Sequence, residues 1–235
     1  MKILGTIAAR GGSKSVKNKN IRNLLGKPLI AYTIEQMIKW GKYEKFIVST
    51  DSKKIIDIAL FYGAEVPFVR PKRLAGDKTG KLEALRHALK ESEKFYKIRF
   101  DALLDIDATS PIRTVNDIEG VVNLFIKNNV DCVFSVVKSR RNPYFNMIEK
   151  DKEGVKLCKQ RPKIILRRQD APLVYDMNSS IYIYKREFLL EEKNRMPYSK
   201  KFLIYEMPSL SGVDIDSELD FKFIEFLVKE GVVKL

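Results

Sequence analysis

The feature that most constrains this chain is an alternation repeated over its first 137 residues: short apolar runs give way to segments whose apolar residues recur at three- and four-residue spacing. The runs 3–9 (ILGTIAA), 46–50 (FIVST), 64–69 (AEVPFV), 102–108 (ALLDIDA) and 130–137 (VDCVFSVV) read as buried strands. Between them, Pro28 opens a helix carrying Leu29, Ile30, Thr33, Ile34, Met37 and Ile38 on one side. Asp51 or Ser52 caps a second helix, with Ile55, Ile56, Ile58, Ala59 and Leu60, which stops before Gly63, and residues 81–95 form a third. Strands alternating with helices predict an α/β fold with a mostly parallel sheet covered on both faces. Ligands of such sheets sit at the carboxyl ends of the strands.

After residue 137 the alternation stops. A basic stretch follows, with a turn at Asn142-Pro143 and a hairpin-like tip at 149–154 (EKDKEG), which reads as a small β-rich excursion inserted at about 140–175 in a single domain of 1–235. The pattern resumes at 178–190 (NSSIYIYKREFLL), where Tyr182, Tyr184 and Phe188 have the spacing of core or interface positions in a strand. Asp216 or Ser217 then starts a terminal helix with Phe221, Ile224 and Leu227 on one face.

The formal charge of +14 suits a partner that is a polyanion, either nucleic acid or a small phosphorylated ligand. The cations run from Lys2 to Lys234 mixed with carboxylates instead of clustering with aromatics, which favours the small ligand. The opening MKILGTIAAR reaches Arg10 too soon for a signal peptide, and no apolar run approaches the ~18 residues of a membrane span, so a cytoplasmic protein with no membrane partner is expected. Cys132 and Cys158 lack any CxxC or His-rich context and read as free thiols. His87 reads as a partly exposed helix residue and Trp40 as packing.

The densest chemistry follows the first strand. Arg10, Lys14, Lys17, Lys19 and Arg22 place five cations within thirteen residues, beside Gly11 and Gly12, whose amides can approach a ligand closely. The loop is neither a Walker A loop nor a GxGxxG fingerprint. Composition and position leave both a triphosphate cradle and a plain basic surface loop open.

The motif ARGGSKSVKNKN (9–20), followed in order by STDS (49–52), RPKRLAGD (70–77), ATSPIR (108–113), RRQDAP (167–172), YDMNSSIYI (175–183) and DIDSELD (214–220), resembles the acylneuraminate cytidylyltransferases, or CMP-sialic acid synthetases. The likeness covers nearly the whole chain and is greatest to the branch that activates legionaminic acid. It implies a Rossmann-like fold, a dimerisation excursion, and transfer of CMP from CTP to the anomeric hydroxyl of a nine-carbon 3-deoxy keto-sugar acid. N-acetylneuraminic or pseudaminic acid would be the next substrates, then the eight-carbon Kdo, with a basic nucleic-acid binder as the reading from another class.

The resemblance assigns Arg10, Lys19, Asp214 and Asp216 to catalysis, with Mg²⁺ on Asp214 and Asp216, whose alternation along a short strand would turn both carboxylates to one side. Capping of the terminal helix is the other reading of these acids. Ala9, Arg10, Gly11, Gly12, Ser13, Lys19, Asn20, Arg70 and Asp107 would bind the nucleotide. Asp107, Thr109, Ser110, Arg168, Tyr175, Asp176 and Asn178 would bind the sugar, with Arg168 reaching the partner of a homodimer. Two departures bear on the sugar: Asp107 replaces the family's glutamine, and Asp176 replaces an arginine. A carboxylate accepts hydrogen bonds but cannot donate them, so each would favour a ligand presenting N–H groups. The family's serine-rich turn becomes Lys78-Thr79-Gly80-Lys81, so no serine role carries over there.

Overall fold

A computed structural model describes the chain except residues 13–15, 77, 78, 163, 192, 194, 195 and 199. The elements in chain order are β1 (Ile3–Ala8), β2 (Asn23–Leu24), β3 (Lys27–Pro28), α1 (Leu29–Trp40), β4 (Lys45–Ser49), α2 (Lys53–Phe61), α3 (Lys81–Tyr96), β5 (Ala102–Ile106), α4 (Val115–Lys127), β6 (Cys132–Lys138), β7 (Ile148–Asp151), β8 (Gly154–Leu157), β9 (Tyr175–Lys185), α5 (Arg186–Leu190), β10 (Phe202–Glu206) and α6 (Glu218–Lys229). The main sheet has the order β10-β6-β9-β5-β1-β4. β9 runs antiparallel to both neighbours and the other pairings are parallel. This is the mostly parallel sheet that the alternation predicts and the Rossmann-like architecture that the resemblance implies.

Strand side chains point alternately to the two faces, and the core divides accordingly. Ile3, Ile7, Ala102, Leu104 and Ile106 pack beneath α1, α2 and α4 through Ile34, Ile55, Ile118 and Phe125. Leu4, Leu103 and Phe134 face the other way, onto Leu82, Leu85 and Leu89 of α3 and Phe188 of α5. At Gly5 helix α1 comes so near that a Cβ would stand 2.6 Å from Met37 Cε. A third cluster seats α6, through Phe221, Ile224 and Leu227, against Val16, Leu24, Leu29 and Ile215.

Several boundaries differ from the sequence reading. The run 64–69 makes only an isolated bridge, Glu65 beside Ile47, because Pro67 has no amide hydrogen to continue the ladder. Residues 213–216 belong to no strand, the Ile215 amide making a single bond to the Thr109 carbonyl, so Asp214 and Asp216 do not sit on a strand. Helix α6 is capped by Ser217, whose hydroxyl accepts from Asp220 N–H while the Asp220 carboxylate accepts from Ser217 N–H. Phe188 lies on α5, where it ends a stack running Phe202, Phe134, Tyr182, Tyr184, Phe188.

The excursion occupies residues 139–174. It holds the β7–β8 hairpin, with Lys152-Glu153 at its tip and Gly154 at φ +131°, and a helical turn at Arg168–Asp170. Because β9 is antiparallel, the excursion leaves the end of β6 and re-enters the start of β9 at the same carboxyl edge where the cleft lies. Both cysteines are free. Among the described residues no helix is long and apolar enough to cross a membrane.

Candidate active site

An open cleft of about 480 Å³ lies along the carboxyl edge of β1, β4 and β5. Its walls come from separate segments: Arg10, Lys19 and Asn20 after β1, Arg70 beyond α2, Lys81 at the start of α3, Asp107 and Thr109 after β5, and Asp216 before α6. Parallel strands deliver these loops to one edge, so residues two hundred positions apart meet.

The loop after β1 is fixed at several points. Asn20 Nδ2 donates to the Arg10 carbonyl at 3.0 Å, and Gly11 N–H donates to Asp51 Oδ1 at 2.9 Å. A Cβ on Gly11 would stand 2.8 Å from Ser52 Cβ, so only glycine lets the loop lie this close to the end of β4. The Lys19 ammonium donates to the Ile215 carbonyl and, at 3.3 Å, to Asp216 Oδ1, tying the basic loop to the acidic segment. Arg70 is 4% exposed; its Nε donates to Ser49 Oγ at 3.1 Å and its Nη2 to the Ser49 carbonyl. Burial lowers its pKa against the opposing pull of Asp51 and Asp105.

The end of β5 carries the second charged group. Lys81 Nζ stands 2.8 Å from Asp105 Oδ2 and 2.9 Å from Asp107 Oδ2. Asp107 Oδ1 accepts from both the amide and the hydroxyl of Thr109, each at 3.1 Å. Burial acts to lower the Lys81 pKa, yet the two carboxylates more than offset it and hold the ammonium charged. Burial likewise acts to raise Asp107, but Lys81 and Thr109 keep it below the usual carboxylate range. Asp105 is wholly buried, with neither carboxylate oxygen in a hydrogen bond and only the ion pair to Lys81 beside it, and burial pushes its pKa up. Behind this wall, the buried Arg113 guanidinium donates to the carbonyls of Asp107 and Ser110 and to the hydroxyls of Thr33 and Ser180. Its burial lowers the pKa to about 9.

Asp214 stands next to this group. Burial raises its pKa, opposed by the Thr109 hydroxyl, and its Oδ1 is buried with no hydrogen-bond partner. Asp216 is largely exposed. Among the described residues no three His, Cys, Asp or Glu side chains gather to hold a metal by themselves. Two carboxylates beside a cleft that could take phosphate oxygens do suit Mg²⁺, which commonly uses one or two protein carboxylates and completes its shell from substrate and water.

Of the residues singled out from sequence, Arg10, Lys19, Asn20, Arg70, Asp107, Thr109 and Asp216 line the cleft. Ala9 does not: it is buried, with its amide bonded to the Ser49 carbonyl, and Ala8 faces the cleft instead. The amide of Gly11 is committed to Asp51, and Gly12 is exposed beyond the lining. Ser13 lies outside the described residues. Ser110 and Asn178 are buried in the frame: the Ser110 hydroxyl donates to the Asn178 carbonyl, and the Asn178 amide spans Ser135 and Ser211. Tyr175 is half-buried and Asp176 exposed at the start of β9, outside the lining, while Arg168 is exposed on the excursion, donating to the Ser139 carbonyl. The sequence reading missed Lys81 and Asp105. One signal was available, an acid two residues before Asp107 on the same face of a strand.

The family model described as Cytidylyltransferase matches residues 4–229. The post-translational flagellin modification protein B of Campylobacter coli is 45% identical over 97% of this chain and 95% of its own length. The CMP-N,N'-diacetyllegionaminic acid synthase of Campylobacter jejuni is 44% identical over 96% and 94%. Among solved structures, a CMP:2-keto-3-deoxy-manno-octonic acid synthetase complexed with CTP has a TM-score of 0.72 at 15% identity, covering 98% of this chain and 100% of that one, a likeness of fold. With matches running almost end to end and a charged cleft at the strand ends where such folds bind ligands, the chain belongs to the cytidylyltransferase family.

Proposed function

We propose that this chain transfers CMP from CTP to the anomeric hydroxyl of a nine-carbon 3-deoxy keto-sugar acid, legionaminic acid foremost, releasing pyrophosphate. The observation that carries the reading is the convergence of Arg10, Lys19 and Arg70 on one cleft that also presents Asp107, Thr109 and Asp216. In this reaction the sugar oxygen attacks the α-phosphorus while the bond to the β-phosphate oxygen breaks, so the site must neutralise charge and align groups. Arg10 and Lys19 would meet the triphosphate, and Arg70 and Asn20 the ribose and base. Asp214 and Asp216 would hold Mg²⁺, which when bound spreads the charge of the phosphate oxygens. Lys19, bonded to Asp216, stands beside the acids that would hold the metal.

The sugar preference draws on a relative whose name specifies diacetyllegionaminic acid and on Asp176. Asp107 is already engaged by Lys81 and Thr109; Asp176, exposed at the start of β9 beyond the cleft lining, is the other carboxylate that would favour an acylamino N–H if the sugar extends that far. The enzyme would act in the cytoplasm as a homodimer joined through the excursion, whose Ile148, Val155, Ile164, Leu166 and Leu173 are all more than 60% exposed. Pyrophosphate release should be measured with CTP, Mg²⁺ and legionaminic, N-acetylneuraminic, pseudaminic or Kdo acid in turn. Release with none of them, alongside tight salt-sensitive duplex binding, would replace the enzyme with a nucleic-acid binder.

A further inference from the structure

The two places where the cleft departs from the acylneuraminate cytidylyltransferase pattern, the turn ending in Lys81 and the acid at 107, touch each other: Lys81 Nζ and Asp107 Oδ2 are 2.9 Å apart. We propose that Lys81 is a specificity-determining residue that donates a hydrogen bond to an uncharged oxygen acceptor of a substrate, with Asp105 and Asp107 fixing its direction.

An ammonium has three donors. Asp107 Oδ2 accepts one of them at 2.9 Å, and Asp105 Oδ2 draws the ammonium as an ion-pair contact at 2.8 Å without forming a hydrogen bond. The face of Tyr182 lies 5.1 Å from Nζ, a contact with the charge that fixes no single N–H. Donor capacity is left for the cleft that Lys81 lines, and the side chain keeps 37% of its surface exposed. A lysine that served only as counter-ion to buried Asp105 would have no reason to reach the open wall.

The charge of the group selects the acceptor. The charge of Lys81 is already met by two carboxylates, which Arg70 and Arg113 also face, so the ammonium adds little pull on a phosphate oxygen and its remaining N–H suits a neutral carbonyl or hydroxyl. Small and apolar neighbours in the same lining, Leu74, Gly80 and Ala84, also suit an uncharged group. Such an oxygen can come from the nucleoside of CTP or from the hydroxyl and acyl groups of the sugar, and separate KM values distinguish the two.

The proposal rests on the cytidylyltransferase reading, so the unmodified enzyme is assayed first with CTP and legionaminic acid. The informative variant is Lys81→Met/Asp105→Asn, which removes the donor yet keeps the group's net charge, since Asp107 retains one negative charge. Circular dichroism and a melting curve confirm its fold. We expect the KM of one substrate to rise about tenfold or more, as for a lost hydrogen bond to a charged donor, with the other KM unchanged. Asp105→Asn alone, which keeps the donor but removes one of the two charges that aim it, should raise the same single KM by less than the double variant does. Should the double variant fail to fold, Lys81→Arg keeps the charge and moves the donors; it should raise the same single KM, whereas a counter-ion role tolerates it. Wild-type KM values in the folded double variant, or in Lys81→Arg, overturn the proposal while the functional reading stands. Absence of turnover by the unmodified enzyme with every sugar removes both.

Discussion

The cleft and the excursion are built from opposite materials. In the cleft, charged and polar side chains are drawn inward and matched: Arg70 to Ser49, Lys81 to Asp105 and Asp107, Lys19 to Asp216. In the excursion, apolar side chains are turned outward, with Ile164 79% and Leu166 81% exposed, while Arg167 and Asp170 pair with each other beside them. Buried charge is costly unless paired, and exposed apolar area is costly unless covered. The cleft meets most of its requirement within one chain, although buried oxygens of Asp105 and Asp214 are left without a hydrogen bond. The excursion does not, and its demand for cover is what a second copy would satisfy.

Perturbing the cleft should give the largest effects. Chelating divalent metal with EDTA should abolish pyrophosphate release, and Asp214→Asn or Asp216→Asn should lower turnover by at least ~10²-fold with the fold intact. Unchanged turnover in both variants would take these acids out of the metal site. Arg10→Ala and Lys19→Ala should each remove about 2–4 kcal/mol of transition-state stabilisation, read from kcat/KM; normal kinetics would leave the first loop as a basic surface.

Perturbing the excursion should give a different signature. A charge at the most exposed apolar position, Leu166→Asp, should convert dimer to monomer in sedimentation while the melting temperature of the monomer stays close to that of the parent. If Arg168 reaches across to the other sugar pocket, the same variant loses activity by roughly tenfold. An active monomeric parent enzyme would end this arrangement. Smaller again is the substrate preference: kcat/KM for legionaminic acid should exceed that for N-acetylneuraminic acid by roughly tenfold, and Asp176→Asn should narrow the gap. Equal efficiency in the parent would exclude the donor-matching account and leave the transferase intact. The smallest effect belongs to neither region. Thr114→Ala breaks the capping box of α4 and should cost about 1 kcal/mol, a melting shift of about 2–4 °C, with kinetics unaltered.

How far the sequence could be read followed the range of the interactions involved. The alternation of strands and helices is written locally, so β1, α1, β4, α2, α3 and β5 lie where periodicity places them, and EKDKEG makes the hairpin tip that its turn residues indicate. The reversal of β9 is not local. Its sequence carries the same apolar alternation in either direction, and only the excursion returning to the carboxyl edge sets it antiparallel. Within the site, Arg10, Lys19 and Asp216 were legible because each lies in a dense charged motif. Ser110 and Asn178 share such motifs but face into the frame, a distinction that depends on β9 packing beside β5. Lys81 was legible only as a departure in its turn and not as a site residue, because a lysine opening a surface helix has nothing unusual about it until Asp105 and Asp107 stand opposite.

Arg113 has a consequence of another kind. Its guanidinium grips the carbonyls of Asp107 and Ser110 and the hydroxyls of Thr33 and Ser180 from the side away from the cleft. The course of the main chain at this wall is therefore held in large part by a group outside the cleft lining, while Asp107 Oδ1 adds its own hold on the Thr109 amide. The frame of the wall and the chemistry it presents are thus carried partly by different residues, one behind the wall and two facing the cleft.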